Sequence, residues 1–299
     1  METLADTIRE ITHRHILENN GLVMGQCLSA VGRVSNTVPD IPSGIVELPL
    51  TDVAGAGFAV GAALVGRRPI FILRFQDFIA LNGSPIFNYA AKSKELHGIP
   101  APVFIRAIAS EGLGPVHSGV FHSIAAHYPG IKVYSPMTPG EYRQVWEEYM
   151  LTDDPVFVSE HRDSYSNTRK MEDRTGYRPD VSIFAVSAAR FEAEKAVDIL
   201  DREGIACNLF HLWRLKPLRM DHIDSLLLSK KGLVIDPGYE TCGMSQSIAY
   251  KLMIETGCRV HAMGGADNTK MLNREQRNDY PDAEAICGRV REISRGKNG

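Results

Sequence analysis

Short apolar segments alternate with segments of helical spacing along nearly the whole chain, and this alternation limits the fold more than any other feature. Strand candidates lie at residues 22–24, 45–48, 70–74, 103–108, 132–135 and 156–159. Helix candidates lie between them at 53–65, 85–96, 121–128 and 140–151. Leu4, Ile8, Ile11 and Leu17 recur at roughly helical spacing, so an amphipathic helix is expected first. Strands buried on both faces read as continuous apolar runs. Alternating them with helices builds a parallel sheet covered on both sides.

From Arg162 to Asp180 the sequence turns polar, and then the alternation resumes. Strands are expected at 182–186, 208–212, 233–235 and 259–263, and helices at 189–203, 222–229, 244–255 and 283–294. Gly204 and Gly257 stand where helices stop. The expectation is an α/β fold of two parallel-sheet α/β/α domains. Residues 1–165 form the first, 166–180 the linker and 181–299 the second. A length of 299 residues suits two domains.

Composition excludes several classes. A net charge of −3 leaves no basic footprint for nucleic acid or an anionic membrane surface. The five cysteines, Cys27, Cys207, Cys242, Cys258 and Cys287, are odd in number and show no C-x-x-C pair. No disulfide framework or metal site is expected, and the chain is read as cytoplasmic. The amino terminus has no basic segment ahead of an apolar run, so no secretory leader is expected. Residues 44–66 are apolar but interrupted by Glu47 and Asp52, so they read as a strand and a buried helix, not a membrane span.

Four clusters offer chemistry. In the first, Asp52 sits where a strand passes into a helix of small residues, Ala54-Gly55-Ala56-Gly57 onward, which permits close approach. On the local pattern alone, a helix N-cap is the favoured reading of Asp52. The second is Phe75-Gln76-Asp77-Phe78-Ile79, just past a strand end, where parallel sheets place ligands. Phe78 suits either a stacking platform or the core. The third runs from Glu111-Gly112-Leu113-Gly114-Pro115-Val116-His117 through His122 to His127. Histidines titrate near neutral pH, so these suit proton transfer, whereas the five-residue step from His122 to His127 is poor for two ligands on one helical face. Capping and surface roles remain open for them. The fourth is Ser159-Glu160-His161-Arg162-Asp163 at the last strand of the first domain.

In this order, the clusters resemble the β subunit of the 2-oxo acid dehydrogenase E1 component. More broadly, they resemble the pyrimidine-binding half of the transketolase-like thiamine diphosphate enzymes. Gly66-Arg67-Arg68-Pro69-Ile70, Asn88-Tyr89-Ala90-Ala91-Lys92 and Pro129-Gly130-Ile131-Lys132-Val133 add to the likeness. So does Leu212-Trp213-Arg214-Leu215-Lys216-Pro217-Leu218.

The resemblance implies an active site shared between chains. This chain would supply Asp52 to hydrogen-bond N1′ of the cofactor's aminopyrimidine and Phe78 to stack on it, with Phe75 and Arg74 beside it. His117, His122 and His127 would serve the reacting centre. An α-type partner would hold Mg2+ and the diphosphate through a Gly-Asp-Gly motif, which this sequence lacks; Gly264-Gly265-Ala266-Asp267-Asn268 is the nearest string. An α2β2 heterotetramer with a β–β contact is implied, acting on a small 2-oxo acid or ketose.

Two departures from the family pattern bear on this. The family's acid is normally glutamate, and Asp52 is shorter by one methylene, about 1.5 Å. Either the backbone moves closer, a water bridges, Glu47 substitutes, or activation is weak. The same departure motivates an alternative, a non-catalytic assembly or regulatory subunit. The loop from Arg106 to His117 is also shorter than in E1 β chains and resembles the transketolase branch, so an aldehyde acceptor is as compatible as a lipoyl domain. A nucleotide-binding reading lacks both G-x-x-x-x-G-K and G-x-G-x-x-G.

Overall fold

The structure, a computed structural model, describes residues 1–219, 223–273 and 281–296. The chain divides into two compact units, Met1–Lys170 with Arg214–Pro217, and Met171–Trp213 with Leu218–Gly299.

The first unit opens with α1 (Leu4–Glu18). Thr3 caps it: the Thr3 hydroxyl accepts from the Asp6 amide, and the Asp6 carboxylate accepts from the Thr3 amide, both at 3.1 Å. Then follow β1 (Leu22–Gly25), α2 (Ala30–Asn36), β2 (Ile45–Glu47), α3 (Asp52–Leu64) and β3 (Pro69–Leu73). Next come a 3-10 turn (Gln76–Phe78), α4 (Ile79–Gly83), a π-helical turn (Ser84–Ala90) and α5 (Ala91–His97). The unit continues with β4 (Phe104–Ala109), α6 (His122–His127), β5 (Lys132–Tyr134), α7 (Pro139–Met150) and β6 (Val156–His161). The second unit holds β7 (Val181–Val186), α8 (Ala189–Arg202) and β8 (Cys207–Leu212). After these, β9 (Arg214–Lys216) returns to the first unit's sheet. The second unit resumes with α9 (Ile223–Ser229), β10 (Lys231–Tyr239), α10 (Met244–Thr256), β11 (Arg259–Gly265) and α11 (Ala283–Ser294).

Among the described residues, the first sheet has seven strands in the order β2-β1-β3-β4-β6-β5-β9, and the second has four in the order β11-β10-β7-β8. The second sheet is wholly parallel. The first departs from the expected parallel pattern only at its edge, where β9 runs antiparallel to β5. That strand is three residues long, too short for an alternation signal. His222, expected to open α9, lies outside the described residues. Gly204 and Gly257 follow their helices in the left-handed region, with φ 77° and 67°. Among the described residues, no helix is long and apolar enough to cross a membrane.

Every residue of β3, β4 and β6 is buried, which explains their apolar runs. The charged exceptions pair with each other. Arg106 on β4 donates to both oxygens of Glu160 on β6, at 2.8 and 2.9 Å. Tyr142 and Tyr165 donate to the same carboxylate at 2.6 and 2.9 Å. Burial and then the Glu160 charge push both phenols well above their usual range, so they stay neutral donors.

Two local features departed from the expected pattern. Residues Val31–Ser35 of α2 all have φ between 48° and 59°, a left-handed turn. L-residues disfavour that helix by roughly 1–2 kcal/mol each. Tertiary anchors hold it: Val34 is buried, Arg9 donates to the Asn36 carbonyl, and Arg106 donates to Thr37 at 2.7 Å. The helix expected at 85–96 instead runs from 79 to 97 with a π-helical turn inside. Pro85 falls there and has no amide to give the preceding turn.

Candidate functional site

The chain passes from β1 to β2 on one side and then to β3 on the other, so the strand order reverses between β1 and β3. At such a switch point the connections diverge, and a crevice opens beyond the carboxyl ends of the strands. A small, shallow pocket lies there. Gln26, Asp52, Arg74, Phe78 and Asn82 line it, with residues 71–73 of β3 as its apolar floor. Three of the cofactor-site residues expected from sequence, Asp52, Arg74 and Phe78, thus share one pocket.

Asp52 is the first residue of α3 and not its cap. Thr51 holds the cap position, without a side-chain capping bond. The Asp52 carboxylate instead receives the Asn82 amide: Nδ2 donates to Oδ1 at 3.0 Å. The same Nδ2 donates to the Phe78 carbonyl at 3.1 Å. Among the described residues, the other Asp52 oxygen receives no hydrogen bond. Asn82 is only 2% exposed, and its own Oδ1 is buried without a partner. Arg74 Nη1 is likewise buried and unpartnered, and burial lowers the Arg74 pKa. The residues lining the pocket therefore include a carboxylate with one open oxygen, two side chains that each bury an unpartnered polar atom, and an aromatic ring.

Glu47 is not available as a substitute acid. Its carboxylate accepts from the Leu28 amide at 2.9 Å, the Ser29 amide at 3.0 Å and the Ser29 hydroxyl at 3.1 Å. Burial alone would raise its pKa, but the Ser29, Leu28 and Cys27 donors outweigh this and hold it low.

Phe75 and His117 pack beside the pocket. The His117 ring lies 4.3 Å from that of Phe75 and 6.0 Å from that of Phe78. Its loop is pinned at several points. Ser118 Oγ donates to the Gly114 carbonyl and accepts from the Leu113 amide, and Ser110 donates to the His117 carbonyl at 2.5 Å. Gly114, with φ 97°, takes a conformation that suits glycine.

His122 is fully buried, and its Nδ1 lies 3.1 Å from Ser159 Oγ. Gln76 ties that group to the rest. Its Nε2 donates to Ser159 at 2.7 Å and to the Ala107 carbonyl at 3.0 Å, and its Oε1 accepts from the Phe121 amide at 2.6 Å. His127 is exposed at the end of α6, with its ring against Tyr128. Among the described residues, no hydrogen bond or ring contact joins His127 to His117.

Asn82 was not singled out from sequence, and Gln76 and Ser159 stood in the second and fourth clusters without a role. Asn82 sits one helical turn after Phe78, a spacing that puts both on one face. The polar Gln76-Asp77 pair inside an apolar motif was the visible signal for the other hub; Asp77 accepts from the Gly119 amide at 2.9 Å. Near the pocket, Leu50, Val53, Phe58 and Leu81 are exposed, with Phe58 at 64%. Helix α3 is thus apolar on its solvent side as well as its core side.

Residues 29–168 match the family model for the transketolase pyrimidine binding domain, and residues 172–283 match that for the transketolase C-terminal domain. The chain is 31% identical over 221 residues to the β subunit of acetoin:2,6-dichlorophenolindophenol oxidoreductase of Cupriavidus necator, covering 69% of this chain and 65% of that one. It is 26% identical over 250 residues to the mitochondrial pyruvate dehydrogenase E1 component subunit beta of Pisum sativum, covering 76% and 70%. The human counterpart is 26% identical over 234 residues, covering 70% and 64%. The chain thus spans about two thirds of the length of these relatives, slightly less for the first and third. A split-gene transketolase solved as an inactive β4 tetramer shares the fold, with a TM-score of 0.79 at 16% identity over 99% of both chains.

Proposed function

The chain belongs to the transketolase-like family, carrying its pyrimidine-binding and C-terminal domains in tandem, and from this we propose that it is the β-type subunit of a split thiamine diphosphate enzyme. The observation that carries the reading is the switch-point pocket, where Asp52, Arg74, Phe78 and Asn82 meet. An aminopyrimidine presents N–H donors, ring-nitrogen acceptors and a flat aromatic face. The pocket offers acceptors on Asp52 and Asn82, a donor on Arg74 and a ring on Phe78, so the residues present fit the group.

When bound, the cofactor supplies the covalent chemistry of carbon–carbon bond cleavage next to a carbonyl. Asp52 would hold the pyrimidine N1′ through its open carboxylate oxygen, with one proton shared between that oxygen and the ring nitrogen. Phe78 fixes the plane of the ring, and Arg74 and Phe75 close the wall beside it. His117, against both phenylalanines, is placed to hold or move a proton at the substrate. His122, bonded to Ser159, supports the same loop from within. His127 takes part only if a partner chain covers it.

The exposed apolar face of α3 supports an α-type partner that brings the magnesium and diphosphate anchor. The assembly is an α2β2 heterotetramer with a β–β contact. Its reaction is decarboxylation of a 2-oxo acid or transfer of an acyl or ketol unit. The test is to mix the chain with its companion polypeptide, thiamine diphosphate and magnesium and to follow consumption of pyruvate or a ketose. Turnover requiring both chains is expected. Cofactor bound without turnover of any donor would favour the second reading, a non-catalytic assembly subunit, which the shortened acid Asp52 motivates.

A further inference from the structure

We propose that Asn82 is the positioning residue for Asp52, tying the acid and the stacking ring into one rigid unit. The inference rests on the functional reading above. Its geometric basis is the forked amide. Asn82 Nδ2 has two hydrogens, and it gives one to Asp52 Oδ1 at 3.0 Å and one to the Phe78 carbonyl at 3.1 Å. One amide therefore joins the first residue of α3 to the residue just before α4. Asn82 is itself 2% exposed, so its own position is fixed by packing.

The consequence concerns the missing methylene. A glutamate at this position would reach farther, but about one more freely rotating bond. Asp52 reaches less far, with one carboxylate oxygen held and the other left open. A carboxylate held at one oxygen presents the second in a defined direction. Fixing the geometry in advance removes the entropic penalty of finding it when a ligand binds.

The unmet atom supports the same assignment. Asn82 Oδ1 is buried without a partner, and an orphan buried acceptor is tolerated where a ligand will satisfy it. Packing alone would be met by leucine, which is similar in size and carries no polar atom of its own to leave unsatisfied. Asn82 thus joins a purely local role, bonding the Phe78 carbonyl one turn back, to a long-range one, bonding a carboxylate 30 residues away in sequence.

The test has two arms. In the cofactor-free chain, the side-chain amide protons of Asn82 are assigned by NMR. Asp52→Ala is expected to move one of the two resonances and leave its geminal partner, which faces Phe78, nearly in place. If neither moves, the contact does not exist in solution and the proposal falls.

In the complex with the companion chain, hydrogen–deuterium exchange at C2 of bound thiamine diphosphate is measured for wild type, Asn82→Leu, Asp52→Glu and the double variant. Asn82→Leu is expected to slow exchange at least tenfold in the wild-type background, with less than a threefold change in cofactor Kd. It should slow exchange much less once Asp52→Glu is present. Equal exchange in Asn82→Leu and wild type would overturn the positioning role alone. No accelerated exchange in wild type would overturn the functional reading, and this inference with it.

Discussion

Two carboxylates in the first unit are treated in opposite ways. Glu160 is fully buried, and both of its oxygens are filled, by Arg106, Tyr142 and Tyr165. Asp52 is half-buried at a pocket wall, with one oxygen held by Asn82 and the other open. A saturated carboxylate can stabilise its surroundings but has no position left for a ligand. A half-saturated one stabilises less and keeps a free site. Counting donors around each acid therefore separates a saturated carboxylate from one with an open acceptor where residue type alone does not.

The largest stability effect should come from the saturated acid. Glu160→Ala strands Arg106 in the core, and removing one member of a buried pair costs about 3–5 kcal/mol. Urea unfolding measures it, and a loss below about 1 kcal/mol would break the contrast. Glu47 comes next. Its carboxylate holds the backbone at Leu28 and Ser29, so Glu47→Ala should cost about 1 kcal/mol. Its pKa is lowered on folding, so its contribution is present above pH 4.5 and fades as pH falls below that. The difference in urea midpoint between wild type and Glu47→Ala should therefore shrink from pH 6 to pH 3.5.

Asp6 tests saturation without burial. Hydrogen bonds from the Thr3 hydroxyl and amide, then from Arg9, lower its pKa from 3.8 to about 2. The stabilisation is complete above about pH 4 and is lost as pH falls toward 2. The acid is solvent-screened, so Asp6→Ala should cost less than about 1 kcal/mol at neutral pH. A cost rivalling that of Glu160→Ala would mean that donor number alone, and not burial, sets the energy. Asp52→Asn should change stability least, by less than about 0.5 kcal/mol.

The architecture was legible because the buried strands are short apolar runs separated by segments long enough for helices. Asp52, Arg74 and Phe78 were legible through the order of motifs, and the structure brings them to one pocket. Asn82 was not, because a lone asparagine inside a helical stretch carries no local signal. Its meaning appears only when α3 and α4 pack and put it against a carboxylate 30 residues away. The left-handed turn at Val31–Ser35 was hidden for a related reason: its residues disfavour that conformation locally, and distant partners impose it. Glu47 seemed able to replace Asp52 only while its backbone donors were unknown.

The most direct measurement compares wild type and Asp52→Asn in the complex with the companion chain, thiamine diphosphate and magnesium. Turnover of the 2-oxo acid or ketose is read alongside the unfolding midpoint and the affinity between chains. The expected result is a loss of about 10²–10⁴ in turnover, with midpoint and affinity unchanged. Undiminished turnover in Asp52→Asn would contradict the assignment of this pocket as the half-site that activates the cofactor.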